Sequence, residues 1–68
     1  MATYHIKFRV RYVGGTTDEW NEAIPEGKYH WYCDGSQGER RMKEMAEARD
    51  YQGRKVDSIT MGLDHISY

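Results

Sequence analysis

The sequence predicts a small α+β fold: a mainly antiparallel sheet of three to four strands with one helix packed on one face, in the order ββ(β)αβ. Three observations carry this. Residues 4 to 12, YHIKFRVRY, alternate without a break, Tyr4, Ile6, Phe8, Val10 and Tyr12 on one parity and His5, Lys7, Arg9 and Arg11 on the other. That period of two gives a strand one buried and one open face. Gly14-Gly15 then punctuates the run, and the later stretch DGSQGERRMKEMAEARDYQG carries helical spacing with helical end signals.

The elements follow in order. The first strand covers residues 3 to 13, and the two glycines supply the positive φ of a tight hairpin, so that TTDEWNEAI returns antiparallel before Pro25-Glu26-Gly27 turns the chain again. KYHWYC, residues 28 to 33, is rich in strand-forming aromatics and reads as a strand with Tyr29, Trp31 and Cys33 on the core face and Lys28, His30 and Tyr32 on the other. Ser36 and Glu39 have the spacing of a capping box, which opens a helix over residues 37 to 51. Its apolar stripe is Met42, Met45, Ala46 and the stem of Arg49. Glu39 with Lys43, Arg40 with Glu44 and Lys43 with Glu47 supply i,i+4 pairs, and the outward Tyr51 either anchors a partner or packs under the next loop. Gly53 caps the helix, KVDSITM forms a last strand burying Val56, Ile59 and Met61, and Gly62 ends it; the tail LDHISY frays or adds a short edge strand. The strand–helix–strand order implies a right-handed crossover that covers one face of the sheet.

Sixty-eight residues make a single domain, 1–68, and a domain of this size buries only about 60% of the surface its unfolded chain exposes. A thin core argues against elaborate catalysis and points to a non-enzymatic protein. Ten Lys and Arg against eleven Asp and Glu give a formal charge of -1, too balanced for a polybasic nucleic-acid binder or an acidic DNA mimic. The mean hydropathy of -0.97, the absence of any apolar run of about 18 residues and an amino terminus without a signal-peptide core predict a soluble chain with no membrane partner. The lone Cys33 fits a reducing, cytoplasmic setting.

No catalytic, metal or cofactor site emerges. His30 and Cys33 point to opposite faces of a strand, which prevents them from closing on one ion. Cys33 itself is directed to the core, where a thiol is inert. The carboxylates are engaged by basic neighbours or by the hairpin, and GSQGER lacks the lysine of a phosphate loop.

The candidate site is the open face. Parity gathers Lys7, Arg9, Arg11, His30 and Tyr32 there, with His5, and cations interleaved with rings suit either a protein interface or a single-stranded nucleic acid. A second account is intramolecular. A two-residue turn sets Arg11 opposite Asp18 and Lys7 opposite Glu22, whereas a three-residue turn sets Arg11 opposite Glu19 and Val10 opposite Trp20. Either pairing neutralises part of the row.

From Lys28 to Gly62 the order of aromatic strand, capped helix SQGERRMKEMAEARDYQG and strand RKVDSITM resembles the ββαβ layout of very small phage proteins, among them anti-CRISPR proteins and a coliphage inhibitor of host RNA polymerase. The resemblance covers about half the chain and is one of layout. It implies a cofactor-free inhibitor that sterically blocks a host protein or ribonucleoprotein complex that processes nucleic acid, acting in the host cytoplasm. The more acidic members of that group meet basic grooves with a carboxylate strip; here acids and bases are mixed, and their binding residues do not carry over. The alternative reading is a single-stranded nucleic-acid-binding domain using the same face.

Overall fold

A computed structural model describes residues 1–68. Strands β1 (Thr3–Tyr12) and β2 (Thr17–Pro25) form a hairpin, helices α1 (Glu26–Tyr32) and α2 (Gly35–Arg49) follow, and β3 (Val56–Ser67) returns to the sheet. The sheet is antiparallel throughout, in the order β2-β1-β3, so β1 is the central strand and the two helices carry the chain over it from one edge to the other. The class is therefore α+β with three strands and two helices.

Alternation on β1 builds the core. Ile6, Phe8, Val10 and Tyr12 are buried, Phe8 completely, and Tyr4 is half-buried. Phe8 meets Trp20 of β2 in an offset stack with ring centroids 5.4 Å apart and takes the edge of Tyr32 at 5.8 Å. The Arg49 guanidinium covers the outer side of Trp20 at 4.3 Å, so the apolar stem expected from the helical stripe ends in a cation–π contact. Met42 and Ala46 of α2 are buried, Met45 is half-buried, and Val56, Ile59 and Met61 of β3 complete the layer.

The main departure from the sequence reading is KYHWYC, which is helical. Pro25 stands at the N-cap with φ -71°, and Glu26 occupies the first turn and pairs with His30 one turn later at 3.5 Å. The i,i+3 spacing of Tyr29 and Tyr32 then directs both rings inward, Tyr29 onto Tyr4 at 4.6 Å and Tyr32 onto Phe8. Burial of Tyr32 and partial burial of Tyr29 outweigh the strand preference of aromatics, which is weak and depends on context. Consequently Trp31 and Cys33, expected in the core, are exposed.

Smaller differences have local causes. Asp34 rather than Ser36 occupies the N-cap of α2, without a side-chain cap, and its carbonyl accepts from the Gly38 amide at 3.1 Å. Of the expected helical pairs only Glu39–Lys43 forms, at 3.4 Å; Glu47 instead accepts from the Val56 amide at 3.1 Å and faces Lys55. The helix ends at Arg49, and Gly53 closes the turn beyond it by donating to the Asp50 carbonyl at 3.0 Å. β3 runs through Gly62 to Ser67, so LDHIS is strand and Tyr68 alone lies beyond it. Tyr51 is outward and 91% exposed. No helix is long and apolar enough to cross a membrane.

Candidate functional site: the uncovered sheet face

Both helices lie on the core side of the sheet, α1 against β1 and β2, α2 against β3. The opposite face is left bare. On β1 it presents His5, Lys7, Arg9 and Arg11, and the pairing registers add their neighbours: Ala23, Asn21, Glu19 and Thr17 from β2, and His65, Gly62, Thr60 and Ser58 from β3. Three depressions open to solvent run along it, the largest about 590 Å³ and lined by Arg9, Arg11, Glu19 and the hydroxyl residues Thr17, Ser58 and Thr60.

The hairpin register differs from both sequence expectations. Gly15 N–H donates to the Tyr12 carbonyl at 3.0 Å and Tyr12 N–H to the Thr16 carbonyl at 2.8 Å, with φ of 107° at Gly14 and 94° at Gly15. This closure leaves Val13, Gly14 and Gly15 as the loop. It pairs Arg9 with Glu19, Arg11 with Thr17 and Phe8 with Trp20. Asp18 and Glu22 therefore fall on the other parity, opposite Val10 and Ile6, and Asp18 uses its carboxylate on the Glu19 amide at 2.8 Å.

One carboxylate thus serves two cations. Glu19 Oε1 lies 3.3 Å from Lys7 Nζ, and its Oε2 accepts from Arg9 Nε at 3.0 Å. The Lys7 hydrogen bond and charge, assisted by Arg9, hold the Glu19 carboxyl below its ordinary range. Arg11, exposed between Thr17 and Ser58, makes no ion pair. Glu19 alone answers both Lys7 and Arg9, so the self-neutralised account of the basic row holds in part for those two and fails for Arg11.

The far end of the face carries a histidine pair. His5 and His65 stack with centroids 4.0 Å apart and planes 8° apart. His5 Nε2 contacts Ser67 Oγ at 2.9 Å, and His65 Nδ1 contacts Asp64 Oδ2 at 2.6 Å. His65 was invisible to parity counting: Ile59 and Met61 lie on the core face, and simple alternation would send His65 there too. A register shift at Asp64 reverses the phase and brings His65 opposite His5. A second shift at Asp57 lets Val56 and Ile59, of opposite parity, both be buried. Ser58 and Thr60, in contrast, are legible from the alternation of DSITM.

Of the five predicted site residues, Lys7, Arg9 and Arg11 share the open face, whereas His30 and Tyr32 do not. His30 is exposed on α1, beside Glu26 and 6.3 Å from the Tyr4 ring, on the helical side of the sheet. Tyr32 is 3% exposed, inside the core. The cause is the helical backbone of residues 26–32, which replaces period two with 3.6.

No three His, Cys, Asp or Glu side chains converge in a manner that would hold a metal ion. Fold and face together define a two-layer α+β domain with a bare, hydroxyl-bordered basic sheet surface. No family model, curated protein or solved structure matches the chain.

Proposed function

We propose that the chain is a non-enzymatic binding domain whose uncovered sheet face docks on an acidic surface of a larger protein assembly and acts by occupying it. The observation that carries this reading is the row on β1, three cations at alternate positions of which Lys7 and Arg9 share Glu19 and Arg11 has no ion-pair partner, with Asp18, Glu22 and Asp64 at the borders of the same depressions. Size agrees. A specific interface takes about 800 Å² from each partner, and the two longer dimensions of the domain, 38 and 21 Å, enclose about that area. A host complex that processes nucleic acid is the target implied by the resemblance to small phage inhibitors, with action in the host cytoplasm.

Single-stranded nucleic acid is the less favoured occupant. Such binding combines cations with rings on which bases stack, and with Tyr32 buried and His30 among the helices the face retains only the His5–His65 pair at one end.

The test is capture from bacterial lysate on immobilised domain, with and without nuclease, comparing the native chain with Arg11→Glu and identifying retained species by mass spectrometry. A discrete protein that survives nuclease and is lost with Arg11→Glu supports the reading. Nuclease-sensitive retention replaces it with nucleic-acid binding, and equal retention by both chains moves the interface off this face.

A further inference from the structure

The Glu19 carboxylate is more than a neutralising charge. It sits on the open face with its two oxygens divided between Lys7 Nζ and Arg9 Nε, and its side chain remains 49% exposed. A carboxylate group therefore already fits a cradle that solvent, and so a partner, can reach. Next to it stands Arg11, unpaired, with Thr17 and Ser58 in register on either side. The cradle and the free guanidinium belong to one strand, where alternate side chains are about 6.6–6.8 Å apart. An extended segment with acidic residues at alternate positions has the same spacing.

We propose that this row is a carboxylate-recognition site for an extended acidic segment of a partner protein, with Glu19 as the resident competitor and Arg11 as the free anchor. The inference rests on the docking reading above and specifies its chemistry. Arg11 takes the first acidic side chain. The next acidic side chain displaces Glu19 from Arg9 and Lys7, and Glu19, half exposed, swings into water. Internal occupancy of the cradle lowers affinity for isolated acids and selects partners that offer several carboxylates in register.

The experiment uses the whole chain, labelled with nitrogen-15, titrated at low ionic strength with the peptide acetyl-Glu-Ser-Glu-Ser-Glu-amide and, in separate arms, with tripolyphosphate and an oligothymidylate. The expected result is saturable shifts at the Arg9, Arg11 and Thr60 amides. Glu19→Gln should tighten peptide binding about two- to fivefold, the range of an exposed ion pair, and Arg11→Gln should weaken it by a similar factor. Glu44→Gln makes the same charge change on an exposed, unpaired site of α2 and should leave the affinity unaltered. Equal effects of Glu19→Gln and Glu44→Gln, indifference to Arg11→Gln, or no peptide binding even with Glu19→Gln overturns the proposal. Tighter binding of oligothymidylate or tripolyphosphate than of peptide overturns it in favour of phosphate. If the peptide fails while lysate capture still depends on Arg11, only the carboxylate inference falls; if both fail, the docking reading falls as well.

Discussion

The α-carbon of Gly38 lies against the Tyr32 carbonyl group: a Cβ at this position would come within 2.7 Å of the Tyr32 carbonyl carbon and closer still to its oxygen. This contact is where α2 crosses the end of α1, and it allows the two helices to meet without a side chain between them. Within an ordinary exposed helix Gly→Ala stabilises by about 0.5–1 kcal/mol. Here the obstacle is backbone and cannot rotate away, so the sign reverses. Gly38→Ala should cost about 1–3 kcal/mol, as overpacked sites do, and the urea midpoint should fall accordingly. A raised midpoint would show that the helix crossing has room for a methyl group at Gly38.

Tyr32 is a core residue, and substitutions there report on folding. Tyr32→Ala removes the ring that packs edge-on against Phe8 and should cost about 3–5 kcal/mol. A chain of this length has a total stability of only about 3–10 kcal/mol at the usual 0.05–0.15 kcal/mol per residue. The variant should therefore be strongly destabilised, with a much lower urea midpoint, while Tyr32→Phe should remain close to the native chain. An unchanged midpoint in Tyr32→Ala together with weakened partner capture would return Tyr32 to the interface.

Asp50 should make the domain sensitive to acid. Its side chain is 2% exposed and accepts from the Arg54 amide at 2.7 Å, from Arg54 Nε at 3.0 Å, from the second guanidinium nitrogen at 3.1 Å and from the Gln52 amide at 3.3 Å. The Arg54 hydrogen bond above all holds the Asp50 carboxyl below its ordinary value of 3.8. As the folded pKa is depressed, the unfolded chain takes up the proton first on acidification. The stabilisation is complete above the unfolded value and disappears as pH falls through the folded one. Urea midpoints should thus decline below about pH 4, and Asp50→Asn should lower the neutral midpoint while flattening that decline. Glu19, lowered by Lys7 and Arg9, contributes with the same sign, so Asp50→Asn with Glu19→Gln should flatten it further. An unchanged acid limb in both variants would assign the sensitivity elsewhere.

The hairpin glycines act through backbone conformation alone. A Cβ at Gly14 or Gly15 would meet nothing within 4 Å, yet their φ values are 107° and 94°. Gly15→Ala should cost about 1–2 kcal/mol through left-handed strain, without altering the buried core. Loss of the Arg9–Glu19 pairing in the nuclear Overhauser pattern of this variant would show that the loop also sets the register.

The open face should tolerate charge change. Arg9, Arg11 and Glu19 are exposed, and surface substitutions of this kind shift stability by about 0.5 kcal/mol or less. Arg11→Glu should preserve the circular dichroism spectrum and the urea midpoint. A large fall in the midpoint would make the basic row structural.

Much of this architecture is readable in the chain because some of the forces are local. The unbroken alternation from Tyr4 to Tyr12 determined by itself which side of β1 is buried and which carries Lys7, Arg9 and Arg11; the helical stripe of Met42, Met45 and Ala46 and the glycines after Tyr12 placed α2 and the hairpin. Three features were decided only by tertiary packing. Residues 26–32 coil because Tyr29 and Tyr32 gain more by reaching Tyr4 and Phe8 than the chain gains from aromatic strand preference. The hairpin slides to the register that stacks Trp20 on Phe8, and that slide delivers Glu19 to both Lys7 and Arg9 and leaves Arg11 free. The bulges at Asp57 and Asp64 reverse the phase of β3 twice, burying Val56 beside Ile59 and bringing His65 onto His5. Periodicity records which face of an element is apolar. It carries no record of which partner that face meets, because register and phase are set by contacts between residues far apart in the chain.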